Sequence, residues 1–229
     1  MAVEENWAAV RTRIARACRA AGRPDEAVGL LAVSKTFPAS DLRRVAAAGQ
    51  RDFGENYLQE ALDKQVVLQD LPLVWHFIGP IQSNKTRSIA AAFDWVHSVD
   101  RLKIAQRLSE QRPPGRPPLQ VCIQVNISGE ASKSGCAPAE TLALAQAVAA
   151  LPRLRLRGLM AIPAPPGDGD ARAPYRALRE LLESLRQTGL QVDTLSAGMS
   201  DDLEAAIAEG STLVRVGSAL FGRRPASTA

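Results

Sequence analysis

VGLLAVSKTFPASDL, residues 28–42, is the stretch whose reading decides the fold. Val28, Leu30, Leu31, Ala32 and Val33 make a nearly unbroken apolar run, the pattern of a strand buried on both faces, as in a parallel sheet covered by helices. The run stops at Ser34 and Lys35, Thr36 to Pro38 turn the chain, and Ser40 stands where an N-cap would open a helix carrying Leu42, Val45 and Ala46. A lysine is thus left at the carboxyl end of a core strand, the edge at which parallel α/β folds bind ligands. A lysine in that place is most simply a solvated strand end. The alternative is a Schiff-base lysine: an ε-amine with an ordinary pKa of about 10.4 loses its proton more easily against apolar walls and can then attack a carbonyl.

Outward from this stretch the chain alternates strand and helix. An amphipathic helix with acids and arginines precedes it. Strands follow at residues 51–54, 73–78, 93–99, 119–127, 154–162, 192–196 and 213–216, and helices at residues 56–68, 84–92, 138–151, 175–187 and 201–208, with a further helix capped by Asp100. The breaker run PPGRPP (113–118) and the loop PAPPGDG (163–169) interrupt this pattern without changing it. Eight strands separated by helices predict a (β/α)8 barrel, which typically takes about 250 residues, preceded by one extra helix. An open doubly wound sheet is the alternative, but no GxGxxG or GxxxxGK motif lies at any strand-to-helix turn. The expectation is one barrel domain spanning residues 1–229.

Composition excludes several classes of function. The 229 residues are 46% hydrophobic, enough for a full core. A net charge of +4 comes from 28 interspersed Lys and Arg against 24 Asp and Glu, so no basic tract points to nucleic acid. No apolar stretch approaches the ~20 residues of a membrane span, and the N-terminus does not read as a signal peptide. Cys18, Cys122 and Cys136 are odd in number and widely spaced, which suits neither a disulfide framework nor a metal site, and His76 and His97 are the only histidines. A cytoplasmic protein is expected.

The barrel reading makes a demand of its own. Phosphate groups in such barrels are commonly held by the loops after the seventh and eighth strands. Here the first loop is Ser196-Ala197-Gly198-Met199-Ser200, with Ser200 placed as an N-cap and Gly198 permitting close backbone approach. The second follows Arg215 with Gly217 and Ser218. Ordinary turn chemistry explains most Ser/Gly loops taken singly. Two of them at the two expected positions, with an arginine beside them, point to an anion. A Schiff-base lysine and a phosphate cup together suit pyridoxal 5′-phosphate (PLP), an aldehyde that carries a phosphate.

At this point the sequence resembles the pyridoxal phosphate homeostasis protein family, alanine-racemase-like proteins of fold type III built on one barrel. The resemblance runs through LLAVSKTFP (30–38), FGENYLQE (53–60), WHFIGPIQSNK (75–85), VNISGEASKSG (125–135), RGLMAI (157–162), LSAGMSDDLEAAI (195–207) and GSTLVRVGSALFG (210–222), nearly the whole chain. It implies that Lys35 carries the cofactor and that Arg215 contacts its ring nitrogen or its phosphate. It further implies that Ser200, Gly217 and Ser218 hold the phosphate and that Asn56 and Met199 line the ring. Ala197 departs from the expected pattern, in which methionine stands there. Lys133 is a candidate second amine above the cofactor or a loop lysine, Lys85 an exposed helix start, and His76 a satisfied core histidine at the end of the third strand, facing the barrel mouth. Arg153, Arg155 and Arg157 share one face of the sixth strand, with Arg157 reaching toward the site.

Binding PLP differs from using it. An arginine at the ring nitrogen cannot give up its proton, so the ring is a poor electron sink. Racemases that resemble this barrel add a β-domain and a tyrosine base from a partner subunit. Here the chain ends soon after Gly222, and its only tyrosines are Tyr57 and Tyr175. The leading expectation is therefore a monomeric carrier in PLP homeostasis that passes PLP to apoenzymes, with no catalytic residue and no metal. The alternatives are a PLP-dependent racemase or decarboxylase of narrow specificity and a cofactor-free Schiff-base aldolase.

Overall fold

A computed structural model describes residues 2–130, 134–164 and 169–222. Eight parallel strands close on themselves in sequence order: β1 (Gly29–Val33), β2 (Asp52–Glu55), β3 (Val74–Phe77), β4 (Trp95–Val99), β5 (Leu119–Gln124), β6 (Leu154–Met160), β7 (Thr194–Ser196) and β8 (Leu213–Val216). Closure is made by β8 on β1, where Leu31 pairs with Arg215 and Ala32 with Val216. Alternation puts successive β1 side chains on opposite faces. Leu30 and Ala32 join the layer between sheet and helices, while Leu31, also fully buried, turns into the lumen. With both faces dry, the strand needs the unbroken apolar run seen in the sequence.

The outer layer consists of α2 (Ala39–Ala47), α3 (Leu58–Val67), α4 (Thr86–Ala92), α5 (Leu102–Gln111), α6 (Thr141–Ala149), α7 (Ala173–Gln187) and α8 (Leu203–Ala208). The additional helix α1 (Val3–Ala20) packs on α2 and α8 and on a short helix α9 (Ser218–Phe221) that follows β8. The doubly wound alternative is thereby excluded.

The expected caps differ from the observed ones. Pro38 rather than Ser40 precedes the first turn of α2, with no side-chain bond to the helix. Arg101 takes the cap position of α5, and Asp100 instead accepts a bond from its guanidinium. The helix after β7 starts later than expected, at Leu203 with Asp202 as cap, and Asp202 Oδ1 accepts the Met199 N–H, so Ser200 is released to the loop. Likewise α3 begins at Leu58, which leaves Asn56 in the turn after β2. Strands four to seven are shorter than read, because apolar loop residues extend the sequence pattern beyond the paired backbone.

Candidate functional site

A cavity of about 260 Å³ opens at the carboxyl end of the strands. Its walls take Lys35 from the end of β1, Asn56 from the end of β2, Met199 and Ser200 from the loop after β7, and Arg215, Gly217 and Ser218 from β8 and its end. Every residue singled out from the sequence for cofactor binding thus borders one cavity. Val33, Phe37 and Ile78 supply apolar wall, and Asp201 stands at the rim.

Lys35 is half-buried, and its backbone is unusual: the next residue, Thr36, has φ 71°. A β-branched residue rarely adopts that conformation, and holding it costs about 1–3 kcal/mol. The surroundings explain how it persists. Lys64 Nζ, buried on α3, donates to the Ser34 carbonyl (2.7 Å), to Glu55 Oε1 (2.7 Å) and to Glu60 Oε1 (2.6 Å). Ser34 Oγ donates to Glu55 Oε1 (2.6 Å), and the Thr36 N–H donates to Glu60 Oε1 (2.6 Å). Burial raises the Glu55 carboxyl above its ordinary value, against the opposing pull of Lys64 and the Ser34 hydroxyl. On the other side of the turn, Phe37 stacks on Phe221 of α9 with ring centroids 4.9 Å apart. The sequence reading missed this clamp; its one signal was Glu60 and Lys64 four apart on one helix face.

Asn56 is held by a close backbone approach. A Cβ on Gly79 would lie 2.3 Å from the Asn56 carbonyl oxygen, so only glycine fits behind it. The Asn56 Oδ1 atom is buried and has no hydrogen-bond partner among the described residues. Arg215, 4% exposed, donates to the Ser196 carbonyl (2.5 Å) and hydroxyl (2.9 Å) and to the Ala161 carbonyl (2.8 Å). Three of its N–H groups are satisfied in this way, which leaves two of the guanidinium's five for a ligand. Burial lowers its pKa to about 10, still a cation at neutral pH.

Ser200 and Ser218 form the expected small-residue cup, with hydroxyl oxygens 3.2 Å apart. Gly198 has φ 93°, and a Cβ there would lie 2.6 Å from the Ala206 methyl group, so the loop requires glycine. Support comes from α1, which the sequence did not connect with the site. Arg13 donates to the Ser200 carbonyl (2.6 Å) while pairing with Glu204, and Asn6 donates to the Leu220 carbonyl (2.9 Å). Ala197 stands in the loop after β7 beside Gly198 and lines a narrow crevice shared with Tyr175 and Leu178 of α7.

The remaining candidates lie elsewhere. Arg157 does not reach the site: it pairs with Asp193 (2.7 Å) and covers the Trp95 ring (4.7 Å) at the opposite, amino end of the strands. It stands in the middle of β6, level with Asp193 just before β7, and this register directs it to that floor. His76 is buried and satisfied as expected, but it joins Asp52 near the floor rather than the mouth. Lys85 is exposed on a short 3-10 turn (Ser83–Lys85). Lys133 lies outside the described residues. All three cysteines are buried free thiols, and among the described residues no helix is long and apolar enough to cross a membrane.

Fold and site together define a class of barrel proteins: residues 2–225 match the family described as alanine racemase, N-terminal domain. Within that class the chain belongs to the pyridoxal phosphate homeostasis protein family. It is 68% identical to the pyridoxal phosphate homeostasis protein of Pseudomonas aeruginosa PAO1 over 97% of this chain and 96% of that one. It is 54% identical to the protein of that name from Escherichia coli K12, over 97% of each. Among solved structures it resembles PipY of Synechococcus elongatus PCC7942 with PLP bound, at 40% identity and a TM-score of 0.82, covering 96% of this chain and all of that one. The alanine racemase of Corynebacterium glutamicum shares the fold, at 21% identity and a TM-score of 0.70. That match covers all of this chain and 62% of the racemase.

Proposed function

We propose that the chain binds PLP covalently through the ε-amino group of Lys35 and holds it for intracellular PLP homeostasis, without turning over an amino acid. The observation that carries the reading is the convergence of an amine, a buried cation and a pair of hydroxyls on one cavity, in a family whose PipY member has been solved with PLP bound. The fit is chemical as well as familial. Among the described residues, Asn56 Oδ1 is a buried acceptor without a partner, and Arg215 retains two N–H donors.

When bound, PLP supplies a reactive aldehyde and an electron-accepting ring. The other roles belong to the chain. Lys35 provides the amine, and the clamp on Ser34 and Thr36 aims it. Ser200, Gly217 and Ser218 receive the phosphate, Asn56 and Met199 border the ring, and Arg215 donates from the cavity floor. An arginine keeps its own proton, which suits retention better than carbanion chemistry.

The test is direct. Purified protein supplied with PLP should develop a visible absorbance that borohydride abolishes and that Lys35→Ala never develops. Wild-type protein that takes up no PLP, or a Lys35→Ala variant with the same reducible absorbance, refutes the reading.

A further inference from the structure

A file of polar side chains crosses the barrel interior from the strand floor to Arg215. Asp52 Oδ1 on β2 lies 3.0 Å from His76 Nε2 on β3, and His76 Nδ1 lies 3.0 Å from His97 Nε2 on β4. His97 Nδ1 lies 2.9 Å from Ser196 Oγ at the end of β7, which in turn accepts from Arg215 on β8 (2.9 Å). Five strands each contribute one member. All but Asp52 are buried, and its side chain keeps 42% of its exposure at the floor.

Counting protons fixes the direction of every link. A guanidinium only donates, so Ser196 Oγ accepts from Arg215. Among the described residues, the one acceptor facing the Ser196 hydroxyl proton is His97 Nδ1. His97 then carries its proton on Nε2 and donates to His76 Nδ1, and His76 carries its own on Nε2 and donates to Asp52. The opposite order would set a bare His76 nitrogen against the Asp52 carboxylate and leave the buried Ser196 hydroxyl proton without an acceptor, a substantial loss in a dry interior. Burial, reinforced by His76 and Arg215, keeps His97 neutral, as the order requires.

We infer that Asp52, His76, His97 and Ser196 form a one-way hydrogen-bond relay whose role is to position Arg215 for the cofactor. This rests on the PLP reading above. Among the described residues, no carboxylate pairs directly with the Arg215 guanidinium; Asp202 is the nearby one that favours its charge, and Asp52 anchors the far end of the relay. The surrounding groups fix the relay in place. Trp95 stacks on His76 (5.3 Å) and borders His97 (5.7 Å), with Arg157 and its partner Asp193 beyond Trp95. Near Arg215 stand Cys122, Tyr175 and Asp202, with the Cys122 thiol pushed up to about 12 by burial. The four relay members are positioning residues, since only Arg215 borders the cavity.

Two histidines in the chain make the relay readable. Nitrogen-15 NMR of histidine-labelled full-length protein without PLP should show both imidazoles as neutral Nε2–H tautomers at neutral pH. A protonated Nδ1 on either ring, alone or as an imidazolium, overturns the one-way order. Asp52→Asn keeps an acceptor of the same shape while Arg215 still orders the Ser196 end, so both Nε2–H tautomers should persist; a protonated Nδ1 in this variant overturns the ordering by Arg215. In PLP-loaded protein, His97→Phe should raise the PLP dissociation constant about tenfold, the loss of ~1.4 kcal/mol of positioning, and should shift the visible absorbance. Asp52→Asn, which leaves the core intact, should do the same to a smaller degree. Unchanged affinity and absorbance in both variants overturns the positioning role while leaving PLP binding in place. Wild-type protein that takes up no PLP refutes the cofactor reading and this role together, while the tautomers still report whether the relay exists.

Discussion

Both backbone neighbours of Lys35 are held by one ammonium–carboxylate cluster, so charges behind the pocket wall control the geometry of the residue inside it. Lys64 is the common member: it reaches the Ser34 carbonyl and both carboxylates. Replacing it by methionine keeps the volume and leaves Glu55, fully buried, without its counter-ion. Breaking a buried pair in this way costs about 3–5 kcal/mol, so Lys64→Met should lose most of that range in urea unfolding at neutral pH. The pH dependence gives a second check. Burial raises the native-state Glu55 carboxyl above its ordinary 4.5. A group raised in the native state contributes stability that is fully present below the unfolded value and lost as pH rises through the native one. The Lys64→Met deficit should therefore shrink as the solution is acidified through that window and Glu55 takes up a proton. A deficit of constant size across this range would remove Glu55 as its cause. At this scale the sequence was uneven. Lys35, Ser200, Arg215, Gly217 and Ser218 were legible because strand ends and small-residue loops mark themselves locally, whereas Asn56 and Met199 came only with the family resemblance. The clamp was not, because Lys64 looks like any solvated helix lysine paired with Glu60 on its own helix until Ser34 and Glu55 are brought to it from the ends of β1 and β2.

Helix α1 shows the same effect for a whole element. Its amphipathic pattern was plain, yet nothing in the pattern revealed that its polar face supports the cup. The surface pair Arg13–Glu204 is half-exposed and is worth little by itself. The bond from Arg13 to the Ser200 carbonyl matters more, because it fixes the loop that carries the Ser200 hydroxyl. Wild-type protein should bind pyridoxal, which lacks the phosphate, more weakly than PLP by the ~1.5–3 kcal/mol of at least one charge-assisted contact. In Arg13→Ala the PLP affinity should fall while pyridoxal affinity stays, so the gap narrows. Equal affinities in the wild type would remove the cup from the phosphate site, and an unaltered gap in the variant would remove Arg13 from the cup. Helix boundaries were the least legible feature at this scale. Ser40, Asp100 and Ser200 all have the chemistry of caps, but a cap depends on where the backbone first turns, and that is set by contacts with the strands before it.

Across the whole molecule, the eightfold alternation of strand and helix made the barrel readable, since closure buries both faces of every strand and the sequence must supply that apolarity everywhere. The polar file in its lumen was not readable, because its five members are scattered from Asp52 to Arg215 and meet only after closure. Closure also decides where the two tyrosines lie. Neither tyrosine borders the cavity: Tyr57 is exposed, and Tyr175 is buried and donates to Asp202 (2.5 Å), with burial and that carboxylate both raising its pKa. A two-base exchange at an α-carbon needs a second proton carrier opposite Lys35. General acid–base catalysis typically supplies 10²–10⁴-fold, so a site with Lys35 as its one base among the described residues should retain only slow, one-sided exchange. PLP-loaded protein incubated in heavy water with a panel of L- and D-amino acids should therefore show at most a slow loss of the α-proton signal and no appearance of the opposite enantiomer. The same protein should transfer PLP to an apoenzyme and restore its activity. Racemisation at an ordinary enzymatic rate of ~1 s⁻¹ or more, abolished by Lys35→Ala, would make the chain an enzyme and overturn the carrier reading.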